Sequence, residues 1–63
     1  MYTLEIARFQ TGCTRFVKRF DSLEAVNVQY DNAIFALDFE GVRAKIRVKY
    51  NGKIIKSAYL KGV

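Results

Sequence analysis

From Val42 to Tyr50 the chain alternates: Val42, Ala44, Ile46 and Val48 are apolar, while Arg43, Lys45, Arg47 and Lys49 between them are basic. A period of two marks a strand with one face buried and the other in water. Asn51-Gly52 follows, a pair suited to the positive backbone angles of a tight hairpin, so Lys53 to Leu60 is expected to return alongside. A two-residue loop would set Arg47 against Lys56. A three-residue loop with a glycine bulge matches Val48 to Ile54, Ala44 to Ala58 and Val42 to Leu60, leaving Lys56 as the misfit, and is the preferred register. In both registers the four bases of the central strand share one face.

Upstream, Ala33 to Phe39 reads as the preceding strand, turned at Glu40-Gly41. A two-residue connection would pair Phe39 with Val42, Leu37 with Ala44, Phe35 with Ile46 and Ala33 with Val48. Every pair on that face is apolar, and on the other face Asp38 would oppose Arg43. At the N-terminus, Tyr2 to Phe9 and Arg15 to Phe20 read as a hairpin across residues 10–14.

Asp21-Ser22-Leu23-Glu24 has the form of a capping box with Asp21 as N-cap, and Leu23, Val26 and Tyr30 then fall at helical spacing. This predicts a short helix near 21–30. The alternation of Val26 and Val28 with polar neighbours is also compatible with a third N-terminal strand.

The expected fold is α+β and β-rich: one domain over residues 1–63, with a small antiparallel sheet of about five strands and one short helix. An all-β, six-stranded SH3-like or OB-like barrel is the alternative. Valine, isoleucine, threonine, phenylalanine and tyrosine supply 23 of the 63 residues, which favours strands. The expected core comprises Leu4, Ile6, Phe16, Phe20, Leu23, Val26, Phe35, Leu37, Phe39, Val42, Ile46, Val48, Ile54 and Leu60. A chain this short buries only about 60% of its unfolded surface, so its packing must be efficient or a partner must contribute.

Charge is distributed unevenly. Residues 1–20 carry +3, residues 21–40 carry −5 with no base, and residues 41–63 carry +7 with no acid, for a net charge of +5. Such asymmetry bears on partners rather than on fold.

Composition removes most catalytic chemistry. The chain has no histidine and one cysteine, so the usual zinc or haem ligand sets and a histidine-activated nucleophile are missing. The glycines are scattered, with no phosphate-cradling loop. Asp38 and Glu40 lie among bases and read as salt-bridging groups. No enzyme activity, cofactor or metal is expected. Cys13 reads as an incidental loop residue, since a lone cysteine forms no internal disulfide. With no basic-then-apolar start and no apolar run of about 20 residues, a reducing, cytoplasmic setting without a membrane is expected.

The basic face is the positive signal. Its expected neighbours are Ile34 and Ala36 on one side and Lys53, Ile55, Ser57 and Tyr59 on the other. Bases two residues apart on a strand are about 6.7 Å apart, a spacing that suits successive phosphates. The expected function is therefore non-enzymatic binding of a nucleic-acid backbone by Lys45, Arg47 and Lys49, helped by Lys53 and Lys56. Tyr59 would serve as a stacking platform, and Arg43 would matter less because Asp38 faces it. Ile55 and Tyr59 among the charges also suit an acidic protein partner. The alternative is thus a small inhibitor or adaptor of the kind viruses and mobile elements encode. The −5 and +7 segments make a homo-oligomer a further expectation.

Overall fold

A computed structural model describes residues 1–9 and 14–62. Strands β1 (Tyr2–Arg8) and β2 (Thr14–Phe20) lead into helix α1 (Leu23–Glu40), and β3 (Arg43–Tyr50) and β4 (Lys53–Lys61) follow. The four strands make one antiparallel sheet in the order β2-β1-β3-β4, with α1 packed on one face. The class is α+β and β-rich. The sheet is open rather than closed into a barrel, and its principal extents of 32 × 19 × 15 Å match two layers.

The helix is where sequence and structure part. It begins one residue later than the capping box suggests: Ser22, not Asp21, is the N-cap, and its hydroxyl accepts from the Ala25 amide at 3.1 Å. It then runs for 18 residues, through the stretch expected to be a strand at Ala33 to Phe39. No glycine or proline interrupts residues 21–40, and one face carries Val26, Tyr30 and Leu37 into the core.

Gly41 closes the helix. At φ 72° it takes a left-handed conformation, its amide bonds the Asp38 carbonyl, and the Val42 amide bonds the Leu37 carbonyl, both at 3.1 Å. Val42 and Leu37 meet in the core, so the paired bonds and the apolar contact together make a Schellman ending. The expected Glu40-Gly41 hairpin is thus a helix stop, and the pairs from Phe39–Val42 to Ala33–Val48 do not form. Asp38 belongs to the helix and does not pair with Arg43.

The strand beside β3 is instead β1, with Leu4 opposite Val48, Ile6 opposite Ile46 and Arg8 opposite Ala44. On its other edge β1 pairs with β2, as the N-terminal hairpin predicts, with Tyr2 opposite Phe20 and Ile6 opposite Phe16. Of the predicted connection across residues 10–14, Thr14 begins β2, and residues 10–13, including Cys13, lie outside the described residues.

The Asn51-Gly52 hairpin forms, in a third register. Tyr50 pairs with Lys53, so the loop has two residues, and Asn51 and Gly52 take φ 51° and 87°. A bulge then intervenes: Lys49 pairs with Ile54 but Val48 with Lys56, leaving Ile55 as the extra residue. Ala44 consequently meets Leu60 and Ile46 meets Ala58, rather than Ala44 meeting Ala58. The turn favours the tight loop, and the bulge restores small-to-large apolar pairing further along.

The core lies between α1 and the even-numbered face of β1 and β3. Leu4, Val26, Tyr30, Leu37, Val42, Ala44, Ile46 and Val48 are buried, and Ile6, Phe20, Ile34 and Leu60 pack partly against them. Phe16, Leu23, Phe35, Phe39 and Ile54, expected in the core, are exposed. Phe16 and Ile54 sit on the edge strands. Phe35 and Phe39 point away from the sheet because the segment is helical.

Candidate functional site

The face of the sheet opposite α1 is uncovered among the described residues. Register alone determines what it displays, because directly paired residues share a face. One row runs Arg19, Thr3, Lys49, Ile54 and the next Val17, Glu5, Arg47, Ser57. The third runs Arg15, Ala7, Lys45, Tyr59. Beyond them, the Phe9 amide bonds the Arg43 carbonyl at 3.0 Å, and Arg43 pairs with Lys61. The face therefore gathers Arg15, Arg19, Arg43, Lys45, Arg47, Lys49 and Lys61 around a single carboxylate, Glu5.

Glu5 is held tightly. Arg47 donates to its Oε1 at 2.8 Å, and the Lys49 ammonium lies 2.9 Å from its Oε2. The hydrogen bond from Lys49 is the main reason its pKa is lowered, with the charges of Lys49, Arg47 and Arg15 adding to it and partial burial opposing. Among the described residues, the other five bases of this face have no carboxylate within salt-bridge distance; Arg43 lies over the Phe9 ring, 5.8 Å from its centroid.

Thr3, Glu5 and Ala7 lie between Arg15 and Arg19 of β2 and Lys45, Arg47 and Lys49 of β3. Two strand spacings separate the bases of β2 from those of β3 by about 10 Å. Tyr59, 56% exposed, stands beside Lys45 at one end, and Phe9 with Arg43 lies close by.

The predicted site residues divide. Arg43, Lys45, Arg47, Lys49 and Tyr59 come together on the open face. Lys53 and Lys56 do not: Lys53 pairs with Tyr50 and Lys56 with Val48, both on the helix side. The Lys56 ammonium donates to Asn27 Oδ1 at 3.1 Å and lies 4.8 Å from the centre of the Tyr30 ring, tying β4 to α1. Burial, with Asp31 adjoining, raises the Tyr30 pKa. Ile55 is the bulge residue and is about half exposed. Ile34 and Ala36 belong to the helix rather than flanking the bases, and Arg43 is not consumed by Asp38.

Sequence reasoning missed Arg15, Arg19, Lys61 and Phe9. The signal for the first two was present, since Arg15 and Arg19 alternate with Phe16 and Phe20, but Lys18 interrupts the apolar series. Among the described residues, no three acidic or cysteine side chains converge as a metal site would require, and no helix is long and apolar enough to cross a membrane. Compared with known proteins, the chain matches no family model, no curated protein and no solved structure.

Proposed function

We propose that the open face binds the sugar-phosphate backbone of nucleic acid, as a non-enzymatic module of the cytoplasm, with single strands preferred. The observation that carries this reading is seven bases against one neutralised carboxylate on an uncovered sheet face. Fixed positive charge near a polyanion releases condensed counterions, which drives binding without reading sequence. Bases on the strands either side of β1 suit one backbone, and Tyr59 and Phe9 offer ring faces on which unpaired bases stack. Duplex bases, already stacked, gain nothing from those rings.

Salt-titrated anisotropy with single- and double-stranded oligonucleotides of DNA and RNA tests the reading. Replacing Lys45, Arg15 and Arg19 by alanine should lower the log–log salt slope on single strands by about 2, at roughly 0.7 for each phosphate no longer neutralised. Tyr59→Ala should weaken single-strand binding by about 1–3 kcal/mol and duplex binding by less. Affinity weaker than about 10⁻⁴ M for every nucleic acid at about 0.1 M salt would reject it. An acidic protein partner is the second reading, favoured by the exposure of Val17, Ile54 and Tyr59 among the charges.

A further inference from the structure

The outer face of α1 is unlike an ordinary solvated helix face. Val28, Phe35 and Phe39 are 53%, 77% and 85% exposed. At about 100° per residue they fall within about 40° of one another, opposite Val26, Tyr30 and Leu37. One flank of this stripe carries Glu24, Asp31 and Asp38, seven residues apart, and residues 21–40 contain no base. An apolar stripe edged by carboxylates has the character of surfaces through which proteins associate.

We infer that the partner of this surface is the open sheet face of a second copy, so that protomers stack head to tail with α1 of one lying across β1 and β3 of the next. Charge selects this arrangement. Pairing two outer helix faces would bring acids together with no base on either helix, and pairing two sheet faces would oppose seven bases to seven. Helix on sheet matches minus to plus. The lengths also agree: Glu24 to Asp38 spans about 21 Å of helix and Arg43 to Lys49 about 20 Å of strand. Val28, Phe35 and Phe39 would meet the apolar groups already present on the sheet face, Val17, Ile54 and Tyr59.

The contact uses two different surfaces, so each added copy leaves one of each free unless the rotation between copies closes a ring. It also occupies the face assigned to nucleic acid, making the two ligands competitors. Complementary charge is the ground for the stacking, whether or not nucleic acid binds the same face.

The test is sedimentation equilibrium of pure protein at about 0.1 M salt, where charges within about 10 Å still interact. Wild type should exceed the 7.3 kDa protomer mass increasingly with concentration. Phe35→Ser with Phe39→Ser removes the helix surface, and Arg15→Glu with Lys45→Glu removes the sheet surface. Each variant alone should remain at protomer mass, and an equimolar mixture should form a species of twice that mass. Asp31→Lys with Asp38→Lys supplies a second helix-surface variant if the first does not fold. A monomeric wild type at millimolar concentration, self-association of either variant alone, or failure of the mixture to pair overturns the inference. None of these readouts involves nucleic acid, so failure of that reading leaves them unaffected.

Discussion

Glu5 Oε1 accepts a 2.8 Å hydrogen bond from Arg47 directly across the β1–β3 ladder. This is the point at which the open face gives up positive charge to hold the sheet together. The two bases on Glu5 are thereby fixed in position, while Arg15, Arg19 and Lys45 remain available.

Replacing Glu5 by glutamine should therefore act in opposite directions on stability and binding. Stability should fall by about 1 kcal/mol at neutral pH, as expected for a charge-assisted pair at a partly covered site. Because the folded pKa is below its ordinary value of 4.5, the stabilisation is complete above that value and lost as pH falls through the lower folded one. Urea melts of wild type and variant should converge well below pH 4.5. Oligonucleotide affinity should rise at neutral pH, since Arg47 and Lys49 are released; unchanged or weaker binding contradicts the account.

At Gly52 the constraint is backbone conformation alone. The residue sits at φ 87° with no atom within 4 Å of where a Cβ would stand. Gly52→Ala should cost about 1 kcal/mol from the positive angle, and Gly52→Val more, because β-branching disfavours that region further. A melt of Gly52→Val indistinguishable from wild type would show that the turn does not require the conformation.

Truncations separate the two faces of α1. Ile46→Ala, at a fully buried site, should lose about 2–5 kcal/mol. Phe39→Ala, at a side chain 85% exposed, should change monomer stability by less than about 0.5 kcal/mol. Chemical denaturation at low concentration checks both, and a large loss at Phe39 would place that ring in the monomer's core.

The contrast between those residues also shows what was legible in the sequence. The strand at β3 was, because alternation of Val, Ala and Ile with Arg and Lys admits few other readings, and with it came Arg43, Lys45, Arg47 and Lys49 on one face. Residues 33–39 were ambiguous. Phe35, Leu37 and Phe39 alternate as a strand would, yet Tyr30, Ile34 and Leu37 follow one side of a helix equally well. The exposed Phe35–Phe39 stripe adds the apolar signal that tips a pattern towards a strand, although Gly41 and the absence of a breaker after Ser22 favour one uninterrupted helix. Lys53 changes side with loop length, two residues rather than three, and the side of Lys56 was not legible, because a bulge at Ile55 shifts the register and no local composition marks where one will fall.

That register shift yields the most discriminating prediction for the site. Lys45 and Lys56 are both exposed lysines on neighbouring strands, but the bulge leaves Lys45 on the open face and turns Lys56 towards Asn27 and the ring of Tyr30. Lys45→Met should weaken oligonucleotide binding and reduce the salt slope by about 0.7, because one phosphate goes without its cation. Lys56→Met should leave the slope unchanged and instead lower stability by about 0.5–1 kcal/mol, the size of a surface cation–π interaction. Methionine keeps the aliphatic stem in both, so the comparison isolates the charge. Paired binding and melting curves decide it: equal reductions in slope at the two positions would mean that binding senses net charge, and that the open face has no special role.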